Sequence, residues 1–91
     1  MRTNKPADSL IEYPCDFPIK IMGATHEAFA QTIVEVIVLI DPDFHAGKME
    51  MRPSSKGSYI GLTVTVRATS REQLDNLYRA LSAHPMVKVV L

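Results

Sequence analysis

Apolar and polar residues alternate in three stretches of the chain, and this period of two predicts β-strands, while a short apolar stretch at residues 86–91 predicts a fourth. The clearest are residues 17–23 and 59–67, while residues 48–52 and 86–91 are shorter. The charged positions and the proline that follows residues 48–52 indicate an edge strand. The predicted inward residues are Phe17, Ile19 and Ile21, then Met49 and Met51, then Ile60, Leu62, Val64 and Val66.

Two longer stretches between these strands predict helices. Residues 26–40 are rich in β-branched side chains, but fifteen residues without Gly or Pro are too many for a strand of about 5–6. Thr25 is the expected N-cap of this helix. The second helix, residues 70–83, follows two overlapping capping boxes, Thr69/Glu72 and Ser70/Gln73. Its predicted buried stripe is Leu74, Leu77, Tyr78 and Leu81.

The order βαββαβ predicts an α+β, ferredoxin-like fold. With both crossovers right-handed, the four-stranded antiparallel sheet takes the order 4-1-3-2, with two helices on one face. We expect a tail and lead-in at residues 1–14 and a single ferredoxin-like domain at residues 15–91.

The first helix carries apolar residues beyond those that one core face needs, namely Val34, Val38 and Leu39. One interpretation is a wide core face. The other is that part of the helix meets a second subunit, since exposed apolar area of this kind usually has a purpose. The last strand is also apolar on both faces at a sheet edge. These features lead us to expect a homodimer.

Composition limits the classes of function. The chain has 46% apolar and 22% charged residues and zero net charge, which is ordinary for a globular domain and argues against wholesale nucleic-acid or membrane binding. The single cysteine, Cys15, allows no internal disulfide and fits a reducing compartment. The first ten residues contain no apolar signal segment, so we expect a cytoplasmic protein.

The run Ser54-Ser55-Lys56-Gly57 before Tyr59 is the first candidate binding segment. It joins two neighbouring antiparallel strands, and Gly57 suits the left-handed position of a hairpin loop. A phosphate loop would instead lie between a strand and a helix. A hairpin turn and a contact to an anion or partner through Lys56 and the serines both stay open.

The turn Gly23-Ala24-Thr25 is the second candidate, because backbone amides at a helix N-terminus favour a carboxylate or phosphate. Other chemistry finds no support in the spacing. His26, His45 and His84 have no second ligand on the same element, and Cys15 has no adjacent basic residue. We therefore predict no catalytic residues, no metal and no cofactor. An RNA-binding sheet would need more stacking aromatics than Tyr59 on its open face.

Several stretches together resemble the YbeD-like family of small uncharacterised bacterial proteins. They are Leu10-x-Glu12-Tyr13-Pro14, Lys20-x-Met22-Gly23 and Pro53-Ser54-Ser55-Lys56-Gly57-x-Tyr59, within a resemblance that covers residues 9–91. The resemblance implies a ferredoxin-like fold close to the ACT regulatory domains, which bind amino acids, commonly at the first strand–helix turn. It also implies a link to lipoate metabolism and no established enzymatic activity.

From these observations we expect a non-enzymatic regulatory or adaptor domain that binds a partner protein. The alternatives are an ACT-like sensor of a small metabolite or amino acid and, more remotely, an RNA-binding module. The candidate binding residues are Gly23, Ala24, Thr25, Ser54, Ser55, Lys56, Gly57 and Tyr59.

Overall fold

Two ten-residue strands form the centre of the sheet in the computed structural model, which describes residues 12–91. Strand β1, Cys15–Ala24, runs antiparallel to β3, Tyr59–Ala68, with Cys15 opposite Ala68 and Ala24 opposite Tyr59. Strand β2, Met49–Pro53, pairs with the outer side of β3, and β4, Val87–Val90, pairs with the outer side of β1. The order β2-β3-β1-β4 is the predicted 4-1-3-2 order read from the other edge.

Helices α1, Phe29–Val38, and α2, Arg71–Ala83, cover one face of this sheet. A 3₁₀ turn, Ala46–Lys48, leads into β2. The alternation predicted for the two central strands is confirmed, since the inward residues of both pack against the helices. The fully buried core includes Ile19, Ile21, Phe29, Ile33, Ile37, Leu62, Val64, Val66, Leu77 and Leu81. Of the predicted tail and lead-in at residues 1–14, residues 1–11 lie outside the described residues.

The start of α1 differs from the prediction. Residue Ala28 is the N-cap and makes no side-chain capping bond, so Thr25 as a helix cap was wrong. Instead, the Nδ1 atom of His26 accepts a hydrogen bond from the amide of Ala28 (3.0 Å) and holds a turn before the helix. The helix also ends at Val38 and not at residue 40, and the amide of Asp41 closes its end on the carbonyl of Ile37 (2.7 Å).

The start of α2 confirms one of the two predicted capping boxes. Ser70 is the N-cap, and its hydroxyl accepts from the amide of Gln73 (3.0 Å). The side chain of Gln73 returns to the strand end, accepting from the amide of Thr69 (2.7 Å) and donating to the carbonyl of Arg67 (3.2 Å). One glutamine therefore joins the end of β3 to the first turn of α2.

The edge strand β2 departs from the expected burial. Met49 is half-buried against the core, but Met51 is 55% exposed, so the prediction that both face a covered core was wrong for Met51. Met51 pairs with Leu62 and lies on the helix side of the sheet. The described helices pack on the central strands β1 and β3 and do not extend over this part of the edge strand β2.

Candidate functional site

The two candidate binding segments lie in contact at one end of the sheet. The amide of Thr25 donates to the carbonyl of Ser58 (3.0 Å), and the hydroxyl of Thr25 donates to the carbonyl of Gly57 (2.5 Å). The pairing of Ala24 with Tyr59 continues directly into these contacts. The turn after β1 and the hairpin loop before β3 therefore form one continuous surface.

The hairpin loop is held by its own hydrogen bonds. Gly57 has φ +73°, the left-handed conformation that the sequence predicted for it, and its amide donates to the carbonyl of Ser54 (3.0 Å). Ser54 also donates its amide to the carbonyl of Tyr59 (2.9 Å) and accepts from the amide of Tyr59 with its hydroxyl (3.2 Å). The side chains of Ser55 and Lys56 are exposed at the tip of the loop and make no hydrogen bond with residues 12–91.

Gly23 is required by packing. A Cβ atom at this position would overlap the carbonyl oxygen of Met86 and lie 2.6 Å from Cζ of Phe29. The glycine therefore lets the start of β4 and the first residue of α1 approach the backbone of β1. In the same turn, the amides of Thr25, Ala28 and Phe29 donate to acceptors within the chain.

The face of the sheet away from the helices, which we call the open face, presents its side chains in rows across the strands. One row contains Leu91, Lys20, Thr63 and Glu50, since Lys20 and Leu91 exchange backbone hydrogen bonds (2.8 and 3.2 Å) and Thr63 pairs with both Lys20 and Glu50. The next row contains Val89, Met22, Gly61 and Arg52. Tyr59, two residues before Gly61 in β3, lies on the same face.

A groove of about 550 Å³ follows these rows and is partly open to solvent. Four large apolar side chains line it and are strongly exposed: Met22, Tyr59, Val89 and Leu91. The polar residues of the groove include Lys20, Glu50, Arg52, Ser54 and Thr63. Of the predicted candidates, Tyr59 and Ser54 line this groove. The others, namely Gly23, Ala24, Thr25, Ser55, Lys56 and Gly57, do not. Gly61 and Arg52 were not among the predicted binding residues.

Sequence reasoning also missed Asp41, the one buried acidic residue of the described part of the chain. Its carboxylate accepts from the amide of Arg67 (3.0 Å) and from the amide of Asp43 (3.3 Å). It thereby ties the loop after α1 to the end of β3, beyond the point where β2 stops pairing. The Asp-Pro-Asp run was a usable signal, because Asp side chains often bond the amide two residues on.

The three histidines serve local turns. His26, His45 and His84 each accept with Nδ1 from the backbone amide two residues later, at 3.0, 3.1 and 3.1 Å. Within residues 12–91, no group of three potential metal ligands comes together. Burial raises the pKa of the Tyr78 phenol above its ordinary value, and its hydroxyl donates to the carbonyl of Leu91 (3.4 Å).

The surplus apolar residues of α1 separate into two groups. Val34 and Val38 are half-buried against the core, which agrees with the interpretation of a wide core face. Leu39, by contrast, is 84% exposed. The expected homodimer stays a prediction. In the described part of the chain, no helix combines the length and the apolar character needed to cross a bilayer.

The fold and this open groove define a small ferredoxin-like α+β domain with an uncovered sheet face. A family model described as "Protein of unknown function (DUF493)" matches residues 8–91, and the chain belongs to that family. The identification as YbeD-like is thereby confirmed.

The chain is 70% identical to a UPF0250 protein of Janthinobacterium sp. (strain Marseille) over 86 residues, which is 94% of each chain. It is 63% identical over its full length to a UPF0250 protein of Bordetella pertussis, also over that protein's full length. The solution structure of protein HP0495 from H. pylori superimposes with a TM-score of 0.73 over 99% of this chain and 98% of that one. The identity there is 17%, so the likeness concerns the fold alone.

Proposed function

We propose that this protein is a non-enzymatic regulatory or adaptor domain that binds a partner protein through its open face. The observation that carries the proposal is the cluster of exposed Met22, Tyr59, Val89 and Leu91 around one groove. Single exposed apolar residues are common on small domains, but neighbours on one face mark an interaction surface. The contact between Thr25 and the hairpin loop extends this surface to Ser55 and Lys56.

An ACT-like sensor of a small metabolite is the weaker alternative. Small-molecule sites bury about 70–90% of their ligand, whereas this groove is partly open to solvent. In the turn after β1, where the resemblance points, three amides already have acceptors within the chain. An RNA-binding role has Tyr59 as its only aromatic residue lining the groove.

The link to lipoate metabolism comes from the resemblance, and it makes enzymes of lipoate attachment the first partners to test. A cytoplasmic location and the homodimer belong to the same proposal. The homodimer has its own measurement, the mass of the full chain in solution at micromolar concentration. A strictly monomeric mass would remove the dimer and leave the partner-binding proposal standing.

Site-specific photo-crosslinking in the source cells tests the open face directly. A benzophenone amino acid replaces Thr63, which lines the groove, or Ser82, which is exposed on α2. We expect a discrete crosslinked product from position 63, identified by mass spectrometry, and none of that mass from position 82. The same products from both positions, or products from position 82 only, would contradict the proposal.

A further inference from the structure

Gly61 lies in the middle of the central strand β3, although no contact among residues 12–91 requires a glycine there. The described part of the chain has positive φ at Gly57 and not at Gly61, so Gly61 has an ordinary strand backbone. A Cβ atom at Gly61 would meet one neighbour, the carbonyl oxygen of Arg52 at 3.6 Å, which is ordinary contact. Gly23, by contrast, has no room for a side chain.

A glycine in a strand interior weakens the strand, and it commonly marks a place where another backbone or a ligand approaches closely. Gly61 forms the floor of the groove between Met22 on β1 and Arg52 on β2. Tyr59, two residues earlier on the same face, borders the same hollow. The position thus combines bare backbone with apolar walls.

Arg52 supplies charge beside this hollow. Its guanidinium makes no ion pair with residues 12–91, although Glu50 lies two residues away on the same face of β2. A guanidinium binds a carboxylate through two parallel hydrogen bonds, which gives geometric selectivity as well as attraction. The Arg52 side of the groove therefore favours an acidic group.

We infer that the groove over Gly61 binds an extended peptide segment of the partner that carries an apolar side chain and, two residues away on the same face, an acidic one. This inference rests on the proposed function. The apolar side chain lies on Gly61 between Met22 and Tyr59, and the carboxylate pairs with Arg52. In an extended peptide, the side chains of residues i and i+2 lie on one face, about 6.6 Å apart. Strands β3 and β2, which carry Gly61 and Arg52, are about 4.8 Å apart. The long side chain of Arg52 can extend over the remaining distance to reach the carboxylate.

Peptide selection tests the partner chemistry. The purified full chain is panned against a displayed library of random nine-residue peptides, and unselected phage provide the baseline. We expect enrichment of sequences in which one residue separates an apolar and an acidic residue, in either order. No enrichment of that pattern would overturn the inference.

Binding of a selected peptide, labelled for fluorescence anisotropy, then locates the site. Gly61→Thr should weaken binding at least about tenfold, because the added side chain fills the hollow, and its melting temperature should equal or exceed that of the wild type. Arg52→Glu should reverse the preference between the selected peptide and its Glu→Lys counterpart. Thr65→Val, on the same face of β3 outside the groove, is the matched control and should bind as the wild type does.

Equal binding by wild type and Gly61→Thr would overturn the inference, as would a dimeric wild type that Gly61→Thr converts to a monomer, since a second copy would then occupy the groove. Failure of the partner chemistry is distinguishable from failure of the proposed function. Crosslinking from position 63 without peptide enrichment leaves the docking face standing with a different partner chemistry. Peptide enrichment with no crosslink specific to position 63 contradicts the proposed function in the cell.

Discussion

The hydroxyl of Thr25 donates a hydrogen bond to the carbonyl oxygen of Gly57, 32 residues further along the chain (2.5 Å). With the amide of Thr25 on the carbonyl of Ser58, it fastens the hairpin loop to the turn after β1. The loop tip that carries Ser55 and Lys56 is therefore held in a fixed position relative to the open face. A threonine expected to cap a helix instead orients a loop.

Thr25→Val should remove this side-chain bond and lower the free energy of unfolding by about 1 kcal/mol. For a domain of this size, that corresponds to a fall in melting temperature of about 4–8 °C. Thr25→Ser keeps the hydroxyl and is the matched control. Urea denaturation of the three proteins checks the prediction, and equal stability of the Val and Ser variants would contradict it.

Two glycines on the central strands should respond in opposite directions to alanine. Gly23→Ala should destabilise by about 1–3 kcal/mol or more, since the new methyl would overlap the carbonyl of Met86 and the ring of Phe29. Gly61→Ala should be neutral or stabilising by about 0.5–1 kcal/mol, because it restricts the unfolded chain and meets no close neighbour. Thermal unfolding of both variants decides the matter. A stable Gly23→Ala protein, or a strongly destabilised Gly61→Ala protein, would refute this account of the two positions.

Asp41→Ala should cost about 2–4 kcal/mol, since the loss of the carboxylate leaves the Arg67 amide without its acceptor. Asp43→Ala, which removes a neighbouring exposed carboxylate but keeps the backbone amide that Asp41 binds, should change stability by less than about 0.5 kcal/mol. Chemical denaturation gives both values. Hydrogen exchange of the Arg67 amide should accelerate in Asp41→Ala only, and unchanged exchange there would count against the assigned bond.

The partly buried phenol of Tyr78 should make stability fall at alkaline pH. Burial raises the pKa of Tyr78 in the folded protein above its ordinary value of 10.0, so the folded state keeps a proton that the unfolded chain releases. The contribution is complete below the unfolded pKa and is lost as pH rises through the folded pKa. Tyr78→Phe should therefore flatten the decline in stability above pH 10, as measured by urea unfolding at several pH values. Parallel declines in the two proteins would argue against this role.

The strand pattern was predictable because it depends on local alternation that a buried face enforces. The alternate residues Ile60, Leu62, Val64 and Val66 show a period of two in the sequence and face the helices in the structure. The strand order followed from the handedness of two crossovers, and Ser70 with Gln73 capped α2 as their spacing predicted. Each of these features is encoded within a few residues or in the chain order.

The errors arose where distant residues decide. Thr25 has the right chemistry for a cap, but the hairpin 32 residues away competes for its hydroxyl, and His26 turns the chain first. Met51 alternates correctly, yet its burial depends on whether a helix reaches that corner of the sheet. Gly23 and Gly61 look alike in the sequence, and only their neighbours on other strands separate a packing glycine from one that leaves a hollow.

The position of β1 in the sheet governs the order in which the protein can assemble. Its two partners begin at Tyr59 and Val87, so β1 leaves the ribosome well before either strand that it pairs with. Pairings that are remote in sequence must close long loops before they contribute stability, and they slow folding accordingly. During synthesis, Ile19 and Ile21 have α1 as their first available cover, which gives that strongly apolar helix a role before the sheet exists.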